Sequence, residues 1–483
     1  MQESVQISSS LRHFLLKPSI AHLLFALCCL AFVLAKLPYM ELPYYWDEAW
    51  VYAPAIQEMA EVGPSLAPDV IPAELTRGHP LLFHFLGGIW ALVFGVSKLS
   101  LHAYALSISL LLLLCLYRIL SRRFNSATGL LTVVLLCVQP LFFTQAVLVL
   151  PEVLLSLFLL LSLDAYVQEK WWRYVLFASA ALLTKETAAA LFAAVSMHRI
   201  FIFLKERRNL KQLLIVLLKL NSPLLVLAVF LLWQKAVRGW MFFPYHLELM
   251  NLDPEVIAQQ FLHYFNFIFV YQGRNIFIVV LFAAAVLAYR RHFSLLAHQK
   301  RLLAVCGIFT LIFLLLSVIN FYSGRYVLVL VVLLCMTTAS FMTQMGLNRL
   351  VLILSFIVLP FPSLFNLISH PGKDDSERGY ADAVLVMQQA CGWLTTAEHS
   401  TQTLYAPFLI KNALTDGRQG YVDEGKERAN VTGDRTVAEY VALSSFETGQ
   451  ELELLLRDTA NFEVLRTFEK NSAKLIIASR KKK

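Results

Sequence analysis

The sequence predicts a polytopic α-helical membrane protein with a small α/β domain at its C-terminal end. Three observations carry this. Of 483 residues, 58% are hydrophobic and only 15% charged. The apolar residues gather in blocks of about 17 to 23, long enough to cross hydrocarbon as helices. Runs such as Leu110 to Leu116 and Val327 to Leu334 are apolar on every face, unlike the alternating segments of an outer-membrane barrel. A soluble α/β enzyme is excluded.

The elements follow from charge. Basic clusters at Arg12/Lys17, Arg118/Arg122/Arg123, Lys170/Arg173, Lys205/Arg207/Arg208/Lys211, Arg290/Arg291/Lys300/Arg301 and Arg349 hold sixteen bases against three acids. These loops read as cytoplasmic, because Lys and Arg beside spans stay on that side. Pro38 to Gly78 carries seven acids and one base, Arg77, and reads as an outer loop. Spans then fall near 20–37, 99–117, 127–147, 153–168, 174–185, 187–204, 212–233, 275–289, 302–320, 327–346 and 350–368, eleven crossings that end outside. The first is read as a retained span, since no small-residue cleavage site follows it. Pro80 to Ser97 is read as a membrane-dipping helix within outer loop 38–98, because counting it as a crossing would turn the basic clusters outward. Lys185 and Glu186 interrupt a pair of short spans; charge at that depth is tolerated where it lines a cavity, so the break points at a site.

After residue 369 the hydrophobic runs shrink. His370-Pro-Gly-Lys-Asp-Asp375 reads as a connecting segment between a membrane domain, 1–369, and a soluble outer domain, 370–483. That domain shows helical patterns at 377–395 and 448–460 and strand patterns at 403–406, 438–444, 462–469 and 474–479. It contains no dinucleotide fingerprint, P-loop or nucleophile elbow. Six of the seven cysteines lie in apolar runs and no CxxC signature occurs, so neither a disulfide framework nor a cysteine metal site is expected. The net charge of +8 is accounted for by the topology clusters, and no nucleic-acid partner is expected.

The chemistry-bearing residues share the outer side. Pro43-Tyr-Tyr-Trp-Asp-Glu-Ala-Trp-Val-Tyr52 sets Asp47 and Glu48 among aromatics just beyond the first span. Aromatic residues collect at membrane interfaces in any case, so an aromatic belt with a solvated acid pair is the alternative. Arg77-Gly-His79-Pro80, Glu152 after Pro151, Lys185-Glu186 and Arg325-Tyr326 complete the set. Asp47, Glu152 and His246 are the candidates for a divalent ion, without a metal-specific spacing. His79 and His84, five apart, read as packing or hydrogen-bonded residues. The long loop 234–273, with Arg238, Trp240, His246 and Asp253, is a candidate gate.

The acid pair after the first span, the stretch ending in Gly63 and the Arg77-Gly-His-Pro-Leu-Leu segment resemble the first loop of the type C membrane glycosyltransferases. Among these they are most similar to the dolichyl-phosphate-mannose-protein mannosyltransferase and aminoarabinose transferase branch. Glu152, Leu183-Thr-Lys185-Glu186-Thr and Tyr322-Ser-Gly-Arg325-Tyr326 extend the resemblance over most of residues 20–346. The family commonly has Lys-Pro-Pro in place of Gly-His-Pro and Asp in place of Glu152. The resemblance implies an inverting transfer of sugar from a dolichyl or undecaprenyl phosphate donor to a protein, lipid or glycan acceptor, in a bacterial or archaeal plasma membrane among membrane lipids. In it Asp47 is the general base, supported by Glu48 and with Glu152 as a further catalytic acid. Arg325, Lys185 and Arg77 bind the donor phosphate, and His79, His246 and Tyr326 contact the acceptor or form a gate. A transporter or flippase is the rival, expecting mid-bilayer charges on paired broken helices and an internal repeat, of which none is found. A non-catalytic scaffold would need no acid pair.

Overall fold

The computed structural model describes residues 18–206, 209–290, 295–320, 322–345, 349–369 and 372–481. Arg12, Lys17, Arg207, Arg208, Arg291, His370, Pro371 and the last two lysines lie outside the described residues.

Every apolar block forms helix, but the helices differ in reach. Six described helical segments are long and apolar enough to cross a membrane: Pro18–Tyr39, Lys98–Arg123, Glu186–Glu206, Ala297–Ser317, Gly324–Gln344 and Leu350–Ser369. A seventh crossing is made if Leu210–Asn221 and Leu224–Arg238, bent by 49° at their junction, count as one. The expected eleven crossings are therefore not all full-length helices. Residues 127–147 do not form one span: the helix Ser126–Cys137 stops short, and a second short helix, Pro140–Gln145, starts with its proline. Proline cannot donate the helical hydrogen bond there and its ring clashes with the preceding turn. Leu82–Phe94 has only 13 residues, about 20 Å of helix against the ~30 Å of hydrocarbon.

Large apolar side chains face outward along these helices, among them Leu23, Leu27, Leu30 and Leu34 on the first and Val229 and Leu232 on the helix ending at Arg238. In water such a surface would be unstable; against acyl chains it is the expected one.

The helix ends sort by charge. At one end Arg123 pairs with Asp164 (2.8 Å), Arg301 pairs with Glu169 (2.9 Å), and Gln299 donates to the Arg123 carbonyl (3.0 Å). Lys170, Lys205 and Arg290 belong to helix ends on the same side of the alternation. At the opposite end lie residues 38–97 and the termini that carry Glu152, Lys185 and Arg325.

The C-terminal region folds as a five-stranded sheet in the order β2-β1-β3-β5-β4, with β1 Leu404–Tyr405, β2 Val431–Thr432, β3 Tyr440–Ser444, β4 Phe462–Lys470 and β5 Ala473–Arg480. β1 runs parallel to β2 and β3, and β5 pairs antiparallel with β3 and β4. β2, set between Asn430 and Gly433, shows no strand pattern in the sequence. Alternation along β5 divides two cores. Leu475 and Ile477 join the main apolar cluster with Met387 and Ala390 of the helix Tyr380–Leu394, while Ile476 and Ala478 pack with Leu452 and Leu455 of the helix Gly449–Arg457. The main cluster continues without a break into the membrane helices.

This region sits on the first loop. The Tyr44 N–H donates to the Gln419 carbonyl (3.1 Å), the Tyr45 hydroxyl to the Lys373 carbonyl (2.8 Å), and the Trp50 ring meets Phe408 edge-on.

Candidate active site

One arginine organises the site. Arg325 opens the last turn before the helix Leu328–Gln344 and is 5% exposed. Its guanidinium forms ion pairs with Asp47 from the first loop and Asp375 from beyond the last membrane helix, and its Nε lies 3.5 Å from Glu152. Glu152 begins the helix Glu152–Val167 and also accepts from Lys185 (3.0 Å). Lys185 is held by the break foreseen in the sequence: the helix Trp171–Thr184 ends, Lys185 is extended, and Glu186–Ala189 form a single tight turn. Its ammonium lies 3.9 Å from the centre of the Tyr326 ring. Five segments far apart in sequence thus bring three carboxylates and two cations together, an arrangement whose desolvation is tolerable only because each charge is paired.

Asp47 is the most accessible of the carboxylates, with 28% of its side chain exposed. Trp46, in the left-handed region (φ 47°), turns the chain into Asp47, and the indole Nε1 of Trp50 donates to Asp47 Oδ1 (3.1 Å). Burial acts to raise the Asp47 pKa, but the Arg325 guanidinium outweighs it and holds the carboxyl below its ordinary value. Asp375 titrates the other way: burial raises it to about 6 against the pull of Arg325.

Glu48 does not join this cluster. Its carboxylate is fully buried and accepts from the backbone N–H groups of Val149 (2.7 Å) and Tyr45 (3.2 Å), beside His102 Nε2 at 3.1 Å. A wide helical turn over Glu48–Tyr52 sends the two neighbouring acids in different directions. Glu48 anchors the first loop to the bundle. Nor do Lys185 and Glu186 neutralise each other: Glu186 pairs with His79 (2.9 Å), and the His79 ring lies 5.0 Å from that of His246. Burial lowers the pKa of His246 to about 4, with His79 beside it adding to the effect, so it is neutral at physiological pH.

A cavity of about 420 Å³ adjoins the cluster. Arg77, His79, Glu152, Lys185, His246 and Tyr326 supply its polar wall, and Leu155, Leu231, Phe242, Phe313 and Leu316 an apolar one. Phe242 to Met250 of the expected gate border it, whereas Asp253 caps the helix Pro254–Phe269 and Arg238 donates to the Ile71 carbonyl (2.6 Å). Two buried polar atoms on this wall, Arg77 Nε and Glu152 Oε2, have no hydrogen-bond partner among the described residues. The Arg77 guanidinium stacks 3.9 Å from the centre of the Trp50 ring. Arg325 itself does not line the cavity; it is enclosed by carboxylates, contrary to its expected place on the donor phosphate.

The three candidate metal ligands are not brought together. Asp47 and Glu152 share the Arg325 cation, while His246 stands with His79, and among the described residues no group of three or more His, Cys, Asp or Glu side chains is placed to hold a metal. A divalent ion at these acids would have to displace an arginine.

Asp375 is the member that sequence reading passed over, because it lies in the polar stretch after the last apolar run. Its doubled acid, Asp374-Asp375, was the available signal.

Residues 78–233 match the family model for dolichyl-phosphate-mannose-protein mannosyltransferase. ArnT from Cupriavidus metallidurans bound to undecaprenyl phosphate superposes with a TM-score of 0.57 over 96% of this chain and 98% of that one, at 12% identity. The chain has the fold of ArnT. The apo state of the same protein gives 0.53 over 95% and 97%, at 13% identity. The resemblance drawn from the sequence is matched by this family model over residues 78–233 and by the fold of ArnT. No curated protein matches the sequence.

Proposed function

We propose that the chain transfers a glycosyl group from a polyprenyl phosphate donor to an acceptor hydroxyl at the membrane–water interface, with inversion. The observation that carries this is the juxtaposition of the Arg325 cluster with a cavity that has one apolar wall and one polar wall bearing Arg77 and Lys185. A polyprenyl phosphate sugar has the same division: its chain needs an apolar surface and its phosphate a cation. The likeness to ArnT, solved with undecaprenyl phosphate, supports this donor class.

In this reading Lys185 and Arg77, which line the cavity, hold the phosphate, and Arg325 positions the acids around it. Asp47, ionised at neutral pH, accepts the proton of the acceptor hydroxyl. The hydroxyl oxygen forms a bond to the anomeric carbon as the bond to the phosphate oxygen breaks, and that electron pair leaves with the phosphate. Opposing cations stabilise this developing charge most where water is scarce. A single displacement from the face opposite the phosphate inverts the centre. The charge sorting of the helix ends supports an extracytoplasmic site.

The test is incubation of the purified protein with radiolabelled polyprenyl phosphate sugars, tracing label into acceptor. Loss of a general base costs about 10² to 10⁴ in rate, so Asp47→Asn should lose transfer to that extent while still retaining the lipid donor. Near wild-type transfer in Asp47→Asn would remove the base assignment, and no transfer by the wild type from any such donor would remove the function.

A further inference from the structure

The end of the bundle away from the Arg325 cluster contains a second cavity, of about 200 Å³. It lies where the helices Glu152–Val167, Trp171–Thr184, Ala190–Glu206, Leu210–Asn221 and Ala297–Ser317 meet. Lys170, Arg199, Lys219 and Arg301 line it, against one acid, Glu169. We propose that this cavity binds the phosphate headgroup of an anionic lipid in the adjacent leaflet.

The local chain is built to gather cations there. The helix Glu152–Val167 closes with Glu169 N–H donating to the Tyr166 carbonyl and Lys170 N–H to the Ala165 carbonyl, both 3.0 Å. Glu169 takes a left-handed conformation (φ 55°) that glycine would adopt at less cost. A side chain is nevertheless present, and it pairs with Arg301 at 2.9 Å and Arg199 at 4.0 Å. One carboxylate shared by two guanidiniums leaves positive charge uncompensated. Lys170 and Lys219, both exposed, add to it.

The walls are rigid. Trp171 packs against Tyr174 with ring centres 5.7 Å apart, the Tyr174 hydroxyl donates to the Leu220 carbonyl (3.0 Å), and the Tyr166 hydroxyl bonds His198 Nδ1 (2.7 Å). With both hydroxyls engaged, selectivity falls to the four cations. Basic pockets between membrane helices on the base-rich side are suited to anionic headgroups. A lipid is favoured over a free anion by the surface alongside. Phe201, Leu204, Leu214 and Leu218 are each more than half exposed on two of the helices that line the cavity, giving acyl chains a surface to contact.

The experiment uses the full chain purified in mild detergent, with phosphatidylglycerol, phosphatidylcholine and inorganic phosphate as probes. Lipid retention is read by native mass spectrometry and folding by thermal unfolding in phosphatidylcholine. Wild type should retain phosphatidylglycerol over phosphatidylcholine, and retention should fall about fivefold for each cation removed in Lys219→Gln and in Lys170→Gln/Lys219→Gln. Both lysines are exposed, so melting should be unchanged, and Lys411→Gln on the C-terminal domain should leave retention unaltered. Equal retention in the double variant would overturn the proposal. So would stabilisation by inorganic phosphate equal to that by phosphatidylglycerol, which would mark a site for a free anion. Should the double variant not fold, Lys170→Gln alone decides by the same readout.

Discussion

Asp375→Asn tests whether the Arg325 cluster is a balanced set of charges. Asp375 is held in its ionised form at a cost, since burial raises its pKa from the ordinary 3.8 to about 6 even with Arg325 beside it. At about 1.4 kcal/mol per pH unit this is worth about 3 kcal/mol, and with only 10% of the side chain exposed solvent screening removes little of it. For an acid whose folded pKa is raised, the folded state holds its proton more tightly than the unfolded chain. The stabilisation is complete below about pH 3.8 and is lost as pH rises through about 6. Asparagine does not titrate and can still accept a hydrogen bond from the guanidinium. The stability of wild type relative to Asp375→Asn should therefore decline by about 2–2.5 kcal/mol between pH 4 and pH 8, most steeply between 4 and 6. Thermal unfolding in detergent across that range measures it. A difference that does not change with pH would refute the reasoning, and a wild type that gains on the variant as pH rises would show that Arg325 dominates and Asp375 is held low, like Asp47.

The other expectations are more local. Lys185→Gln removes a cation from the cavity wall, so the donor KM should rise about tenfold or more, the worth of a charge-assisted hydrogen bond, with a smaller change in acceptor KM by steady-state kinetics. Gly78 has φ +70°, and a Cβ there would lie 2.9 Å from the Trp240 ring and 3.2 Å from the Phe243 backbone nitrogen. Gly78→Ala should cost about 1–3 kcal/mol in stability and displace the loop that borders the cavity, read as a lower melting temperature with weakened donor use. For topology, Glu398→Cys should react with an impermeant thiol reagent from outside intact cells and Lys170→Cys should not; the reverse would place the site in the cytoplasm.

The helices were legible because the environment writes itself into composition: a segment facing acyl chains has to be apolar all round, and only length separates such a span from Leu82–Phe94 in the outer loop. Their interruptions were legible in part. Lys185-Glu186 announces a break because charge is costly at that depth, whereas Pro140 inside 127–147 is apolar and carries no charge to mark the interruption. In the C-terminal region β3, β4 and β5 are apolar or β-branched runs long enough to be placed to within one or two residues, while β2, between Asn430 and Gly433, has no pattern to read. Asp47, Glu152, Lys185 and Arg325 stood out singly as polar residues beside apolar runs. Which carboxylate meets which cation was not legible, since it depends on helix rotation and on distances closed across hundreds of residues. Glu48 and Glu186 show the same gap: each adjoins a charged residue in sequence, Asp47 or Lys185, and each is paired elsewhere, with His102 and His79.

Asp375 lies six residues past the last apolar helix, where hydropathy would invite a cut between a membrane-embedded piece and a water-soluble one. A fragment ending at Ser369 would keep every apolar helix and yet lack one of the three acids around Arg325; the complementary fragment would carry that acid with nothing to pair it. Recombining the two as separate polypeptides would have to restore the ion pair across a broken chain. Hydropathy and charge divide this molecule along different lines, and a fragment chosen by the first should be judged by the second.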